Sequence, residues 1–371
     1  MKQAMILVVA LVCLAAAGVV WYVFRTPFAV TYDKALKDFR AGKYALALPT
    51  LEQGARAFKG TPKETDALLW LARCESALNP ANVRTWQTLA AMTRDRSILG
   101  EARYRLAVVQ PNPEPALGLF VNEFPERPEA RAVLAEMGRT ALAQNDVMKA
   151  WRAWQTLCDA HPQSPEALAV RAALGDLNLK LLCSPRPLPF TLQHQVAPGE
   201  MVATIAKACK TSADSIKRIN HLSSDMIRPG TQLKIDASRY LILIDTTKHE
   251  LCLERLWQGA TNYVKLYAVG TGKDENTPLG SFKITDKVKN PTWYKPGGKP
   301  ILFGSKENQL GTRWLAIDCP GYGIHGTWEP DTVGKSCSAG CVRMKNEEVE
   351  ELHDIVSLGT EVVIYASAKP Q

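Results

Sequence analysis

A cysteine and a histidine near the C-terminus lie 16 residues apart, in the segment GIHGTWEPDTVGKSCSAGCVRM from Gly323 to Met344. A cysteine nucleophile needs a nearby base to take its proton, and histidine is the usual partner. We therefore predict that Cys341 is a nucleophile and His325 its base. The interval is too long for one helical face, whereas two adjacent strand ends joined by a loop would bring the side chains together. The glycines beside them, Gly326 and Gly340, would let backbone amides approach a developing oxyanion, as acyl transfer requires.

The same segment resembles the signature of the L,D-transpeptidase (YkuD) family, HGT…S-x-G-C-[IV]-R-[ML], with the same interval between histidine and cysteine. Earlier segments add to this resemblance. TPLGSF at 277–282 is similar to the family's TP-x-G-x-F turn, PTWY at 291–294 to its P-x-W segment, and NQLGTRW at 308–314 to its G-x-x-x-L stretch.

The resemblance implies roles for five residues. Cys341 would form the acyl intermediate, with His325 as its base and acid. The Gly326 carbonyl would orient the imidazole, the backbone amides near Gly340 and Cys341 would stabilise the oxyanion, and Arg343 would contact a substrate carboxylate or brace the loop. No metal and no organic cofactor is implied. Many members carry histidine where this chain has Ala339, so a role for a second imidazole is excluded.

Two other readings of these cysteines stay open from the sequence. Cys319, His325, Cys337 and Cys341 are residue types that bind zinc, although structural zinc sites usually show tighter paired cysteines. Cys337 could also form a disulfide with Cys341 or with Cys319 in an oxidising compartment, and the first pairing would mask the nucleophile. The total of nine cysteines is odd, so at least one thiol is free or pairs outside the chain.

The residues around the 323–344 signature show patterns typical of β-strands. Apolar runs such as YLILI at 240–244 alternate with turns rich in glycine and proline, and one helical pattern occurs late, at 347–356. We predict a mostly β catalytic domain over residues 238–371.

A different pattern precedes it. Residues 194–235 read as strand, two short helices and strand, with V-x-P-G-E at the start and I-x-P-G-T-x-L-x-I at the end. This segment resembles a LysM module, a small βααβ domain that binds glycans containing N-acetylglucosamine, such as peptidoglycan. We place the module at 191–237, after a proline-rich stretch at 183–190 that reads as a stiff linker.

Residues 29–182 are predicted to be all-α, because apolar and small residues recur at helical spacing with turn signals between them. Ala116 and Ala150 are 34 residues apart, and FPERPEA at 124–130 echoes HPQSPEA at 161–167. The segment resembles degenerate tetratricopeptide repeats, in which the proline ends the second helix of each pair. The resemblance implies a spacer or a surface that docks a protein partner.

The N-terminus carries 21 uncharged residues from Ala4 to Phe24, followed by Arg25. About 20 apolar residues span a bilayer, so residues 1–28 are predicted to be a transmembrane signal anchor. A cleaved signal peptide is the rival reading.

Composition narrows the function class. The formal net charge is +8, but the excess is not concentrated in a Lys/Arg block, so no nucleic-acid partner is predicted. The chain is expected to be multidomain: an N-terminal transmembrane helix, an all-α helical-repeat region, a small βααβ LysM module and a mostly β L,D-transpeptidase domain. By this resemblance it would be a single-pass enzyme of the bacterial cytoplasmic membrane, with its catalytic domain in the periplasm. It would act on peptidoglycan stem peptides and glycan strands, as a transpeptidase or a carboxypeptidase. A non-catalytic peptidoglycan-binding scaffold, or hydrolysis of existing links, are the alternatives.

Overall fold

The computed structural model describes residues 30–294 and 297–368, and they divide into two compact units with the boundary between Val133 and Leu134. The predicted membrane anchor lies outside the described residues. Within the described ranges, every helix is too short or too polar to cross a membrane.

The first unit is helical, as predicted. Consecutive helices contact one another and bury small and aromatic residues, among them Ala47, Leu51, Trp86 and Phe120. Its helices are α1 (30–40), α2 (Tyr44–Ala57), α3 (Glu64–Leu78), α4 (Arg84–Met92), α5 (Arg96–Val108), α6 (Glu114–Glu123) and the first part of α7 (Pro128–Ala143).

The tetratricopeptide interpretation stays a prediction, and one detail of it differs from the structure. Pro128 begins α7 instead of ending a helix. Pro162 lies in the turn between the helices 147–160 and 165–182. In the two matching segments, Pro128 and Pro165 both occupy the first helical position. This position suits proline, since its missing N–H would have no partner there in any case.

The second unit begins with the rest of α7 and continues with a helical hairpin, α8 (Val147–Ala160) and α9 (Pro165–Leu182). A small module follows, with the predicted order of strand, two helices and strand: β1 (Thr191–Gln195), α10 (Val202–Ala208), α11 (Ala213–Ile219) and β2 (Gln232–Asp236). The two strands pair antiparallel, and a separate small core fills the space beneath the helices.

The rest of the second unit is mostly β, as predicted, with one helix, α12 (Asn346–Ile355), packed against its main sheet. The eight strands of that sheet lie in the order β11-β9-β8-β7-β12-β3-β4-β5, and β9–β11 and β3–β12 are its parallel pairs. A short parallel pair, β6–β10, lies apart from it. The strands are β3 (Arg239–Asp245), β4 (Glu250–Trp257), β5 (Ala260–Ala268), β6 (Thr271–Gly272), β7 (Gly280–Lys289), β8 (Arg313–Ile317), β9 (Gly323–His325), β10 (Ser336–Ser338), β11 (Val342–Arg343) and β12 (Glu361–Tyr365).

Candidate active site

The candidate site is built at the edge of the main sheet where β8, β9 and β11 meet. His325 ends β9 and pairs with Trp314 on β8 and with Arg343 on the parallel strand β11. Paired residues on neighbouring strands point to the same face of a sheet, and so do alternate residues along one strand. His325 and Arg343 therefore share one face of the sheet, and Cys341 lies in the bend just before β11, two positions before Arg343.

His325 is almost fully buried, and its ring is fixed from two directions. Its Nδ1 atom lies 2.6 Å from the carbonyl oxygen of Gly326, and the Trp314 ring stacks on it with centroids 5.9 Å apart. A carbonyl oxygen can only accept, so Nδ1 carries the proton in this contact. Burial lowers the pKa of His325 to about 4, and the ring is therefore neutral at pH 7 with Nε2 unprotonated.

Cys341 lies in the turn between β10 and β11 and is partly exposed. Its Sγ lies 3.6 Å from the carbonyl oxygen of Gly321. Burial raises the pKa of Cys341, while the backbone N–H of Gly323 and the charge of Arg343 act in the opposite direction. The resting pair is thus a neutral thiol and a neutral imidazole, and a thiolate forms only when the base takes the proton.

A serine holds the turn that carries Cys341. Ser338 is buried, and its hydroxyl donates to the carbonyl oxygen of Cys341 at 2.7 Å and accepts from the N–H of Gly340 at 3.0 Å. Gly340 itself has φ +140°, a conformation that other residues rarely adopt. The N–H of Gly340, one of the predicted oxyanion donors, is therefore already bonded to Ser338.

Arg343 connects this turn to the base. It is buried, and its backbone exchanges two 2.8 Å hydrogen bonds with Gly270. Its guanidinium Nη1 lies 3.6 Å from the Glu329 carboxylate, and its Nε is buried without a partner among the described atoms. The positive charge lowers the pKa of both Cys341 and His325.

Neither the zinc site nor the disulfide considered for these cysteines is formed among the described residues. The eight described cysteines, including Cys319, Cys337 and Cys341, are free thiols, and Cys337 Sγ instead lies 3.2 Å from the carbonyl oxygen of Thr332. Within the described residues, the grouping of metal-type donors is Asp214, His353 and Asp354, which includes none of those cysteines.

Sequence reasoning assigned no role to Ser338, Trp314 or Asn346. Ser338 stood in the S-x-G-C signature and could have been found there. The Asn346 side chain accepts the Thr312 N–H at 3.1 Å and lies directly against Gly326, so it supports the peptide that orients His325. No local sequence pattern predicts that contact, because it joins the start of α12 to a loop 20 residues earlier.

Comparisons with known proteins identify two families in this chain. The family model for the L,D-transpeptidase catalytic domain matches residues 239–364, and that for the LysM domain matches residues 194–236. YkuD of Bacillus subtilis is 39% identical over 184 residues, which are 47% of this chain and 98% of that protein. The chain belongs to the L,D-transpeptidase (YkuD) family. YkuD of Bacillus licheniformis is 33% identical, again over 47% of this chain and 98% of the relative.

Other relatives match over a smaller share of their length. YqjB of Bacillus subtilis is 46% identical over 105 residues, which are 27% of this chain and 58% of that protein. An L,D-transpeptidase from Mycobacterium smegmatis of known structure is 17% identical, with 37% of this chain and 64% of that chain covered and a TM-score of 0.29. The chain thus spans less than two thirds of either protein.

Proposed function

We propose that this chain is a peptidoglycan L,D-transpeptidase in which Cys341 forms a thioester with a stem peptide. Membership of the family supports acyl transfer. The observation that carries the proposal is the 2.6 Å contact between His325 Nδ1 and the Gly326 carbonyl, because it leaves Nε2 as a base on the strand that pairs with β11, next to the turn that carries Cys341.

In the proposed first step, His325 Nε2 takes the thiol proton while Cys341 Sγ attacks the carbonyl carbon of the L-centre at stem position three. A carbon–sulfur bond forms, the amide carbon–nitrogen bond breaks, and His325 returns the proton to the departing D-alanine amine. The developing oxyanion needs a donor. Since the Gly340 N–H is already bound by Ser338, we assign that role to the N–H of Cys341.

In the second step an amine attacks the thioester. Its nitrogen bonds to the acyl carbon, the carbon–sulfur bond breaks, and the proton that the amine loses returns through His325 to the thiolate. An amine from a second stem gives a 3→3 cross-link, a protein lysine gives tethering, and water gives carboxypeptidase action. Arg343, which is buried, is proposed to contact a substrate carboxylate or to brace the loop that carries Cys341.

Mass spectrometry of muropeptides tests this function in cells. We expect 3→3 cross-links or tethered protein with the wild-type chain and their loss with Cys341→Ala. Purified protein should also gain the mass of a carbapenem on Cys341. If Cys341 forms no adduct with a carbapenem or a tetrapeptide stem, the non-catalytic peptidoglycan-binding scaffold is the better interpretation. A rise in cross-links on Cys341→Ala would favour hydrolysis of existing links.

We further propose that the N-terminal segment anchors the chain in the membrane, with the catalytic domain outside the cytoplasm and the helical region as spacer or docking surface. A C-terminal reporter fusion checks the orientation: alkaline phosphatase should be active and a cytoplasm-dependent fluorescent protein dark. The opposite pattern would refute the placement.

A further inference from the structure

The LysM domain is held against the rest of the second unit on three sides. At its C-terminal end, Asp236 is fully buried and accepts a short hydrogen bond from the Tyr240 hydroxyl, with the Arg255 guanidinium 4.0 Å away. That guanidinium is itself 2% exposed and lies 3.4 Å from the centre of the Phe190 ring. Phe190 ends the proline-rich stretch, so both the entry to the module and its exit converge on one buried arginine.

A second contact joins the module to the end of α9. The Lys234 ammonium is buried and donates to the carbonyl oxygens of Leu181 at 2.9 Å and Ser184 at 3.1 Å. The last carbonyls of a helix have no partner within it, so a cation placed there satisfies them and interacts favourably with the helix dipole. His221 Nε2 lies 2.7 Å from the neighbouring carbonyl of Cys183.

The third contact reaches the catalytic domain. Arg218 on α11 lies 3.2 Å from the Asp354 carboxylate and 3.7 Å from Glu351, both on α12. The Ser212 hydroxyl donates to the carbonyl oxygen of Asp354 at 3.1 Å, and Lys289 on β7 lies 2.7 Å from Asp214. Several charges in one partly buried network resist separation better than an isolated surface pair does.

Helix α12 connects this contact to the base. Its first residue, Asn346, lies against Gly326, whose carbonyl orients His325, and its last turn carries Asp354. The LysM domain and the catalytic pair therefore rest on opposite ends of one helix of ten residues.

We propose that the LysM domain is a fixed positioning element, so that the enzyme prefers stem peptides attached to the glycan strand that this domain holds. This inference rests on the proposed function. A flexibly tethered module raises only the local concentration of polymer, whereas a docked module also fixes where along the strand a stem can meet Cys341. The effect is therefore a difference between glycan-linked and free stems.

The test uses the full chain in detergent and the variant Arg218→Glu, which places a carboxylate against Asp354 and Glu351. Arg239→Glu is the matched control, since the ion pair of Arg239 is with Glu361, at 3.9 Å on the catalytic sheet. Release of the terminal D-amino acid is measured from un-cross-linked glycan strands and from free tetrapeptide. In Arg218→Glu we expect kcat/KM to fall about tenfold on the strands and to change less than about twofold on the free peptide. Equal losses on both substrates, or a loss on neither, would overturn the proposal.

Calorimetry tests docking without using catalysis. We expect the second unit of the wild type and of Arg239→Glu to unfold in one transition, and the LysM domain of Arg218→Glu to unfold separately. A separate LysM transition in the wild type would overturn the docking inference. A wild type that unfolds as one unit yet processes neither substrate would instead refute the proposed transpeptidase function.

Discussion

The Nδ1 atom of His325 lies 2.6 Å from the carbonyl oxygen of Gly326, the next residue in the chain. This one contact fixes which nitrogen carries the proton, and it leaves Nε2 free to act as the base. In the buried setting of β9 the ring stays neutral, so its chemistry differs from that of an exposed histidine.

The acid limb of the pH profile should lie well below the usual histidine range. Burial lowers the pKa of His325 to about 4, so the base remains available until the pH approaches that value. We expect kcat/KM on a tetrapeptide stem to be flat near neutral pH and to fall toward pH 4. A fall centred near pH 6.5, the ordinary histidine value, would contradict the buried, neutral ring.

The same depressed pKa predicts how stability depends on pH. Between about pH 6.5 and 4 the unfolded chain binds a proton at this histidine and the folded chain does not, so folding loses free energy as the pH falls. The loss from His325 should reach about 3 kcal/mol across that window. Urea unfolding of wild type and His325→Asn at several pH values measures it, since asparagine does not titrate. Parallel curves for the two proteins would refute the prediction.

Burial is the main influence on the pKa of Cys341 and of His325, and Arg343 should shift both as well. Its charge lowers the pKa of Cys341 and of His325, so Arg343→Ala should raise both. We expect the rate of iodoacetamide labelling at Cys341, followed by peptide mass spectrometry, to shift to higher pH. NMR titration should show His325 protonating at higher pH as well. Arg343→Lys keeps the charge and should stay near wild type; if it matches the alanine variant, the effect is one of packing.

Ser338 should position the nucleophile without touching substrate. Ser338→Ala removes both the donor to the Cys341 carbonyl and the acceptor of the Gly340 N–H, and each buried hydrogen bond is worth about 1 kcal/mol. We expect kcat to fall by about tenfold to a hundredfold with little change in KM. Ser336→Ala, at an exposed position on the same strand, is the control. A change confined to KM would point to substrate contact instead.

Gly340 should tolerate no side chain. A Cβ there would lie 2.6 Å from the Tyr322 ring and 2.9 Å from the Asn276 carbonyl oxygen, at φ +140°. Gly334 also has a positive φ, +84°, but a Cβ there would meet nothing within 4 Å, so Gly334→Ala separates backbone strain from the clash. We expect Gly334→Ala to cost about 1 kcal/mol and to keep activity, and Gly340→Ala to lose activity. Equal thermal shifts and activities would show that the clash is relieved.

The helical hairpin α8–α9 should be required for a stable catalytic sheet, because it covers the edge strand β5. Asn178 accepts the Trp151 indole N–H at 2.7 Å and donates to the carbonyl oxygens of Tyr263 and Val264 at 3.3 and 2.9 Å. Asn178→Ala should lower the free energy of unfolding by about 2–4 kcal/mol. Gln144→Ala, at an exposed position, should be neutral. A neutral Asn178→Ala would show that these hydrogen bonds do not stabilise the sheet.

The sequence by itself determined the family resemblance and the candidate catalytic residues. The spacing of His325 and Cys341, the glycines around them and the short apolar runs between turns are local signals, and each reports on a short stretch of the chain. They were enough to indicate a thiol and a base near two strand ends, a separate βααβ module and a helical region. The same signals predicted that proline ends a helix, whereas Pro128 begins α7.

Tertiary structure decided what depends on residues far apart in the chain. The pairing of His325 with Trp314 and Arg343, the support of Gly326 by Asn346 and the docking of Asp236 against Tyr240 and Arg255 follow from strand register and packing. Burial then set the pKa directions of the catalytic pair, because desolvation depends on everything that surrounds a group and not on its neighbours in sequence. Packing also decided where α8 and α9 belong. Their sequences are typical of the helical region, but they pack on β5 and so join the unit of the sheet that they cover.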